Sequence, residues 1–213
     1  MTDTYRSAGG TGARKPGIVA ELTLVSGFPE DQRERVARLY WQAFRGKLGR
    51  VLGPDDKALR FLTPVLHGSH AISALNADGA LVGVAGFSTP QDTFVAGTEA
   101  DLCKVYGRFG AMWRGLLLEM LDRPRSTEIL VMDGIFVAPE ARGQGVGSAL
   151  LDGIVEEAKA RGLAGVRLDV IDSNPRAKAL YERKGFVACT PQKLGALKWV
   201  FGFSSVTPMI KPV

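Results

Sequence analysis

Cysteine and histidine are scarce in this 213-residue chain, which has two of each: Cys103 and Cys189, His67 and His70. Two distant cysteines build no disulfide framework, and the four residues together lack the spacing of a metal cluster. No metal is expected, and both thiols read as small buried apolar groups. No apolar run approaches the ~20 residues of a membrane-spanning helix. Met1 to Pro16 are polar and glycine-rich, without the apolar core of a secretory signal. These absences predict a cytoplasmic protein with no membrane partner. Basic patches interleaved with aromatics, as single-strand binders use, are also missing, so no nucleic acid is expected.

What is present suits a single well-cored domain: 46% hydrophobic residues, 23% charged and a net charge of only +5. Residues 1–16 hold too little apolar surface to repay their ordering and read as a flexible tail, leaving 17–213 as the domain. The chain is organised around Asp133 to Ser148, DGIFVAPEARGQGVGS. Ile135 to Val137 end a buried strand, a short turn contains Pro139, and a helix starts near Gly145. A strand therefore delivers the chain into a glycine-rich helix N-terminus, whose unpartnered amides and partial positive charge can receive a pyrophosphate. The loop lacks the Lys-Ser/Thr of a P-loop and the glycine spacing of a dinucleotide fingerprint.

Arg142, Gly145 and Gly147 fit an arginine-or-glutamine, two residues, glycine, one residue, glycine-or-alanine pattern. About thirty residues on comes RLDVIDSNPRAKALYERKGF, Arg167 to Phe186: a strand, an asparagine, a short helix containing Leu-Tyr, and a Gly-Phe opening another strand. In this order and separation the two blocks resemble the GNAT N-acetyltransferase superfamily. The likeness in motifs covers about residues 128–190, and the first half resembles the family only in its order of elements. It implies an α/β fold: a mixed, mostly antiparallel central sheet flanked by helices, binding acetyl-CoA.

Along the chain, Ile18 to Val25 alternates as a first strand. Pro29, Glu30 and Asp31 suit a helix start, and Val36, Leu39, Tyr40, Ala43 and Phe44 make its apolar stripe. Arg45 to Pro54, with three glycines and a proline, is expected to break that helix before a second one from Asp55 to Leu66. Arg45, Lys47 and Arg50 in this break either meet an anionic group on the acceptor or are simply solvated. Ala71 to Leu75 and Ala80 to Ser88 flank an Asp-Gly turn as a hairpin, with Gly83 and Gly86 marking close approach or a bulge. His67 and His70 are bases by residue type but equally read as structural loop residues.

Glu99 to Leu121 repeats apolar residues at helical spacing over about six turns, where the minimal family fold has no long helix. It reads as an insertion whose aromatic stripe is core or dimer contact rather than acceptor-pocket wall. Strands follow at Glu128 to Val137, Val166 to Ile171 and Phe186 to Cys189, with helices at Gly145 to Arg161 and Pro175 to Lys184. Ala196 to Phe203 reads as the last strand and the remainder as an irregular tail.

The resemblance assigns roles residue by residue. Backbone amides around Gly143, Gln144, Gly145, Val146, Gly147 and Ser148 would bind the pyrophosphate, with Arg142 adding charge or loop packing. Of Ile135, Phe136 and Val137, the first and last would pair through their backbone with the pantetheine arm where the fourth and fifth strands splay. Phe136 would point into the core. Asn174 either bonds the CoA arm or caps the following helix, two compatible roles. Tyr181 matches the family tyrosine that protonates the leaving thiolate, and a phenol of pKa about 10 can do so; the alternative is a ring that only packs beside CoA. Asp133, two and four residues before Ile135 and Val137, would share their face as a base; otherwise it orders water or satisfies local backbone groups, and Glu119, Glu128 and Asp169 are weaker alternative bases. Asp169 and Asp172 with Arg167 and Arg176 read as structural ion pairs.

Three functions follow: transfer of acetyl to a small-molecule amine, to a protein lysine or N-terminus, or acyl-CoA binding without turnover. A homodimer is among the assemblies the resemblance allows.

Overall fold

The structure is a computed structural model that describes residues 22–120 and 126–213. The tail expected over 1–16 and residues 18–21 of the expected first strand lie outside the described residues. Within them the first strand, β1, is Thr23–Ser26, followed by helices α1 (Arg33–Leu52) and α2 (Asp55–Val65) and the hairpin β2 (Ala71–Leu75) and β3 (Leu81–Ser88). Then come α3 (Glu99–Glu119), β4 (Ile129–Val137), α4 (Val146–Ala160), β5 (Gly165–Ile171) and α5 (Pro175–Arg183). The chain ends with β6 (Val187–Ala188), β7 (Gln192–Lys193), α6 (Lys198–Phe201) and β8 (Ser205–Pro212).

The strands form one sheet in the order β1-β2-β3-β4-β5-β8-β6, with β7 on β8. Every pair is antiparallel except β4 and β5. One face carries α4: a Cβ at Gly83 would come within 2.9 Å of Val146 and 3.0 Å of Leu150. The other face carries α1, whose Tyr40 and Phe44 rings pack on Phe136 at 5.7 and 6.3 Å between centroids. The core lies in both layers, from Val36 and Leu39 of α1 to Leu150 and Ile154 of α4.

Two expectations fail for physical reasons. α1 runs straight through Gly46 and Gly49 to Leu52 rather than breaking at Arg45. Each interior glycine costs about 1 kcal/mol, but Leu48, Val51 and Leu52 are buried on that last stretch, each contributing ~1.5–3 kcal/mol. Burial wins, and the helix stops only at Gly53. The second failure is at the C-terminus, where the expected strand from Ala196 to Phe203 is instead a 3-10 turn, Gly195–Leu197, running into the helical turn α6. Gly202, at φ +75°, reverses the chain after it, so that Phe201 and Phe203 both enter a small cluster with Val51. The real last strand is β8, inside the expected tail, paired along the whole of β5 from Gly165↔Pro212 to Ile171↔Val206.

The long helix between the third and fourth strands is present, with a kink at Gly107, whose φ of +70° is left-handed. Thr98 and Asp101 cap its start reciprocally.

Candidate functional site

Three features converge on the splayed middle of the sheet. The first is the loop before α4. Gly143 and Gly145 hold φ of +79° and +85°, and no atom lies within 4 Å of a Cβ built on either. Glycine meets the backbone demand, and the space in front stays open. No side chain caps α4, so its first amides have no intrahelical acceptor and present the positive end of the helix dipole. Arg142 Nε donates to Val137 O at 3.3 Å and Gln144 Nε2 to Glu140 O at 2.8 Å. Arg35 ties the loop to α1 and β3 by donating to Glu140 at 2.8 Å and to Leu81 O at 2.9 Å. Arg142 thus packs the loop. Val146 is buried and Gly147 lies against Leu180, so these two, with half-buried Ser148, offer backbone to a ligand.

The second feature is a cleft. β4 and β5 pair only over Ile129–Val131 and Gly165–Arg167 and then diverge. The gap holds a cavity of about 270 Å³ lined by Met132, Asp133, Ile135, Asn174 and Tyr181 among others. Asn174 Oδ1 accepts the Ala177 N–H at 3.1 Å, so the cap role is realised. Tyr181 is buried beside Phe186, 6.1 Å between ring centroids.

The third is a cavity of about 1040 Å³ on the α1 side, walled by α1, α2 and α3. Asp133 lines both cavities. Its Oδ1 accepts from Ser88 Oγ at 2.6 Å and its Oδ2 from Thr93 Oγ1 at 3.0 Å and the Phe94 amide at 3.4 Å. The Ser88 and Thr93 hydroxyl oxygens stand 2.7 Å apart, so their two protons are shared over this contact and the two to Asp133. Asp133 does not share a face with Ile135 and Val137 as expected. The register jumps from Phe87↔Met132 to Gly86↔Gly134, leaving Asp133 as the extra residue of a β-bulge, which breaks the period of two. Gly134 and Phe136 then face α1, while Val137, opposite Gly83, faces α4.

Behind Thr93 lies a second polar group. Asp92 Oδ1 accepts the Thr93 amide at 2.8 Å, and its Oδ2 lies 2.7 Å from His67 Nδ1. Burial pushes the Asp92 carboxyl up, but the His67 hydrogen bond, the Thr93 amide and the charges of both histidines outweigh it and hold the pKa below the ordinary value. His70 is buried, bonded to Ser69 Oγ and Thr89 Oγ1 at 3.1 Å each, and burial pushes its ring below the ordinary histidine value.

The remaining candidates separate. Arg45 pairs with Asp55 at 3.2 Å and Arg50 donates to Trp199 O, so neither points to an anionic acceptor; Lys47 alone of the three lines the cavities. Asp169 pairs with Arg167 at 3.2 Å and lines the cleft, Asp172 accepts the Ser204 amide, and Glu119 lines the large cavity. Glu128 is exposed and lines neither cavity. The α3 stripe is core in part, with Leu102 buried in a cluster with Trp41, Phe61 and Leu62 and with Val105 and Tyr106 packed on it. Contrary to the expectation of core or dimer contact alone, Leu102, Met112, Trp113 and Leu116 also line the large cavity. Ser88, Thr93 and Asp92 were not legible as site residues, because nothing in sequence marks a hydroxyl that reaches a bulge on the neighbouring strand.

A sheet split between the one parallel pair among the described residues, with a glycine loop at one end and a buried tyrosine in the split, defines an acyl-CoA-type acyltransferase fold. The chain belongs to the GNAT acetyltransferase family, whose model matches residues 33–186. Over 56 residues it is 41% identical to the thialysine N-epsilon-acetyltransferase of Bos taurus, covering 26% of this chain and 33% of that protein. Over 77 residues it is 40% identical to the mycothiol acetyltransferase of Beutenbergia cavernae, covering 36% and 25%. The [ribosomal protein bS18]-alanine N-acetyltransferase of Escherichia coli K12 is 45% identical over 56 residues, covering 26% and 38%. The match thus spans well under half the length of each relative. Among solved structures, the N-acetyltransferase from Staphylococcus aureus Mu50 superposes with a TM-score of 0.61 at 14% identity, covering 89% of this chain and 100% of that one. At that identity the likeness is one of fold. Among the described residues no helix is long and apolar enough to cross a membrane.

Proposed function

We propose that this chain is an N-acetyltransferase that moves an acetyl group from acetyl-CoA to the primary amine of a small molecule. The observation that carries this reading is the position of Asp133, a carboxylate in the wall of both the large cavity and the Tyr181 cleft. The family uses acetyl-CoA as co-substrate, and the residues present fit it. The open glycine loop suits a pyrophosphate, and the gap between β4 and β5 suits an extended arm.

When bound, acetyl-CoA supplies a thioester-activated acetyl group. The amides from Gly143 to Ser148 hold its phosphates, and the backbone of Ile135 and Val137 along the split holds its arm. Phe136, taken up by the core, contributes only main chain. An alkylamine of pKa about 10 enters the large cavity protonated. Asp133, fixed by Ser88 and Thr93, takes the ammonium proton and passes it to solvent, and then takes the second proton that the nitrogen sheds as it is acylated. As nitrogen gains the acetyl carbon and the carbon–sulfur bond breaks, Tyr181 gives its phenolic proton to the departing thiolate and recovers one from solvent.

The test is thiol release with acetyl-CoA across amines, amino acids, aminoglycosides and short peptides, beside Tyr181→Phe. Turnover on a small amine should fall about 10²–10⁴-fold in the variant, the size of general acid catalysis, with acetyl-CoA affinity kept. Turnover confined to peptides would favour a protein substrate of the kind named for the Escherichia coli relative. Tight acetyl-CoA binding with no thiol released on any amine would favour a non-catalytic binding module.

A further inference from the structure

The large cavity says what kind of amine belongs in it. Its walls are Leu48 and Leu52 of α1, Phe61 and Leu62 of α2, and Leu102 and Trp113 of α3, six apolar or aromatic side chains converging from three helices. Ser88, Asp92, Thr93 and Asp133 make one polar corner of the lining, where Asp133 accepts from both hydroxyls, while Glu99 and Glu119 stand at the opposite ends of α3. Among the lining residues the charges are unequal: Asp92, Glu99, Glu119 and Asp133 against Lys47. The Lys47 ammonium stands 5.9 Å from the Phe203 ring centroid, a ring that belongs to the lining of the other cavity.

Each property excludes a class of acceptor. A polyhydroxylated amine would leave its hydroxyls against leucine and phenylalanine, at the cost of burying unpaired polar groups. A free amino acid would bring a carboxylate among four carboxylates. An ammonium with an apolar body meets neither penalty. Its charge goes to Asp133 and its body lies along α1, α2 and α3.

The α3 wall is held in place. Arg114 stacks on both Tyr106 and Trp113 at 4.1 Å from each ring centroid, and Tyr106 donates its hydroxyl to Leu52 O. These contacts tie α3 to the end of α1 and fix the Trp113 ring, which is 39% exposed overall yet faces the cavity.

Resting on the acetyltransferase reading above, we infer that the acceptor is an amphiphilic primary amine, a single cationic head on a bulky alkyl or aryl body without a carboxylate. The test measures binding and turnover separately on the full chain. Calorimetry and thiol release are run on n-butylamine to n-octylamine, on phenethylamine against phenylalanine, on kanamycin and on a tetrapeptide with a free N-terminus. Affinity should rise about fourfold per added methylene, phenethylamine should bind at least tenfold tighter than phenylalanine, and kanamycin and the peptide should bind weakest. Trp113→Ala should cost n-octylamine several-fold more affinity than n-butylamine. Flat affinity along the alkyl series, or a preference for phenylalanine, kanamycin or the peptide, overturns this inference even if acetyl transfer proceeds. Affinity that climbs along the series with no thiol released upholds the amine class and overturns the acetyltransferase reading instead.

Discussion

The two sides of the proposed site, the glycine loop with the split strand edges and the large cavity, are built from different materials. The donor side is main chain: left-handed Gly143 and Gly145, the bare amides at the start of α4, and the strand edges exposed where β4 leaves β5. The acceptor side is side chain: leucines, phenylalanines and a tryptophan projecting from α1, α2 and α3. A main-chain site recognises groups common to every molecule of its ligand and is sensitive to backbone conformation but indifferent to most side-chain identities. A side-chain site is the reverse, open to retuning of its ligand while the backbone stays put. Asp133 belongs to both, because the bulge in β4 turns it out of the strand's alternation and toward Ser88 and Thr93.

The strongest way to break this comparison is to disable the shared residue. Asp133→Asn should lower kcat on the best amine about 10²–10³-fold, with acetyl-CoA affinity within about twofold of the parent. If acetyl-CoA affinity falls as far as kcat, Asp133 serves the donor side alone. The next effect in size isolates the donor side. Gly145→Val forces a β-branched residue into a left-handed conformation, at about 1–3 kcal/mol, and fills the open space in front of the loop. KM for acetyl-CoA should rise ten- to a hundredfold while the amine KM holds. Equal changes in both constants would mean that the two sides are not separable.

This division explains what could be read without a structure. Backbone sites dictate glycine at fixed positions, so the loop and the Asn174 to Tyr181 helix carry their pattern in the sequence, and they fold as expected. The acceptor walls carry only helical periodicity, which Leu102 and Trp113 satisfy equally well as core, interface or pocket. The bulge was hidden for a related reason. ILVMDGIFV keeps an apparently unbroken apolar run, and only the Asp-Gly pair inside it hints at an extra residue. Local rules misled where burial overrode them: Gly46 and Gly49 read as breakers inside α1. The stretch after Phe203, which holds Pro208 and Pro212, reads as an irregular tail, yet β5 pairs with it along its length.

A smaller effect tests how Asp133 is held. Thr93→Val removes one hydroxyl donor from its Oδ2 and leaves Ser88 and the Phe94 amide in place. A carboxylate that loses one of three donors is less well oriented. kcat should drop about tenfold, in proportion to a partial loss of general base catalysis, with acetyl-CoA affinity unchanged. Thr93→Ser, which restores the hydroxyl, should recover kcat. A loss of kcat that Thr93→Ser does not recover would reduce Thr93 to a packing residue.

The smallest effect concerns the wall behind the site. His70 is buried between Ser69 and Thr89 with its pKa pushed down, chiefly by burial. Arg161 and His67 add to that, and Asp92 and Asp133 oppose it. Its folded pKa lies below the ordinary value of 6.5, so the unfolded chain takes up the proton first. The contribution to stability is therefore complete above about pH 6.5 and is lost as pH falls through the folded value. Asp92, also depressed, acts in the same direction, but only near and below the ordinary carboxylate range. Between pH 7 and 5 the thermal midpoint should thus decline. His70→Gln should flatten that slope while leaving acetyl-CoA affinity alone. A midpoint that climbs on acidification would mean that the carboxylates outweigh burial, and that the imidazolium rather than the neutral ring holds the Thr89 turn beside the acceptor cavity.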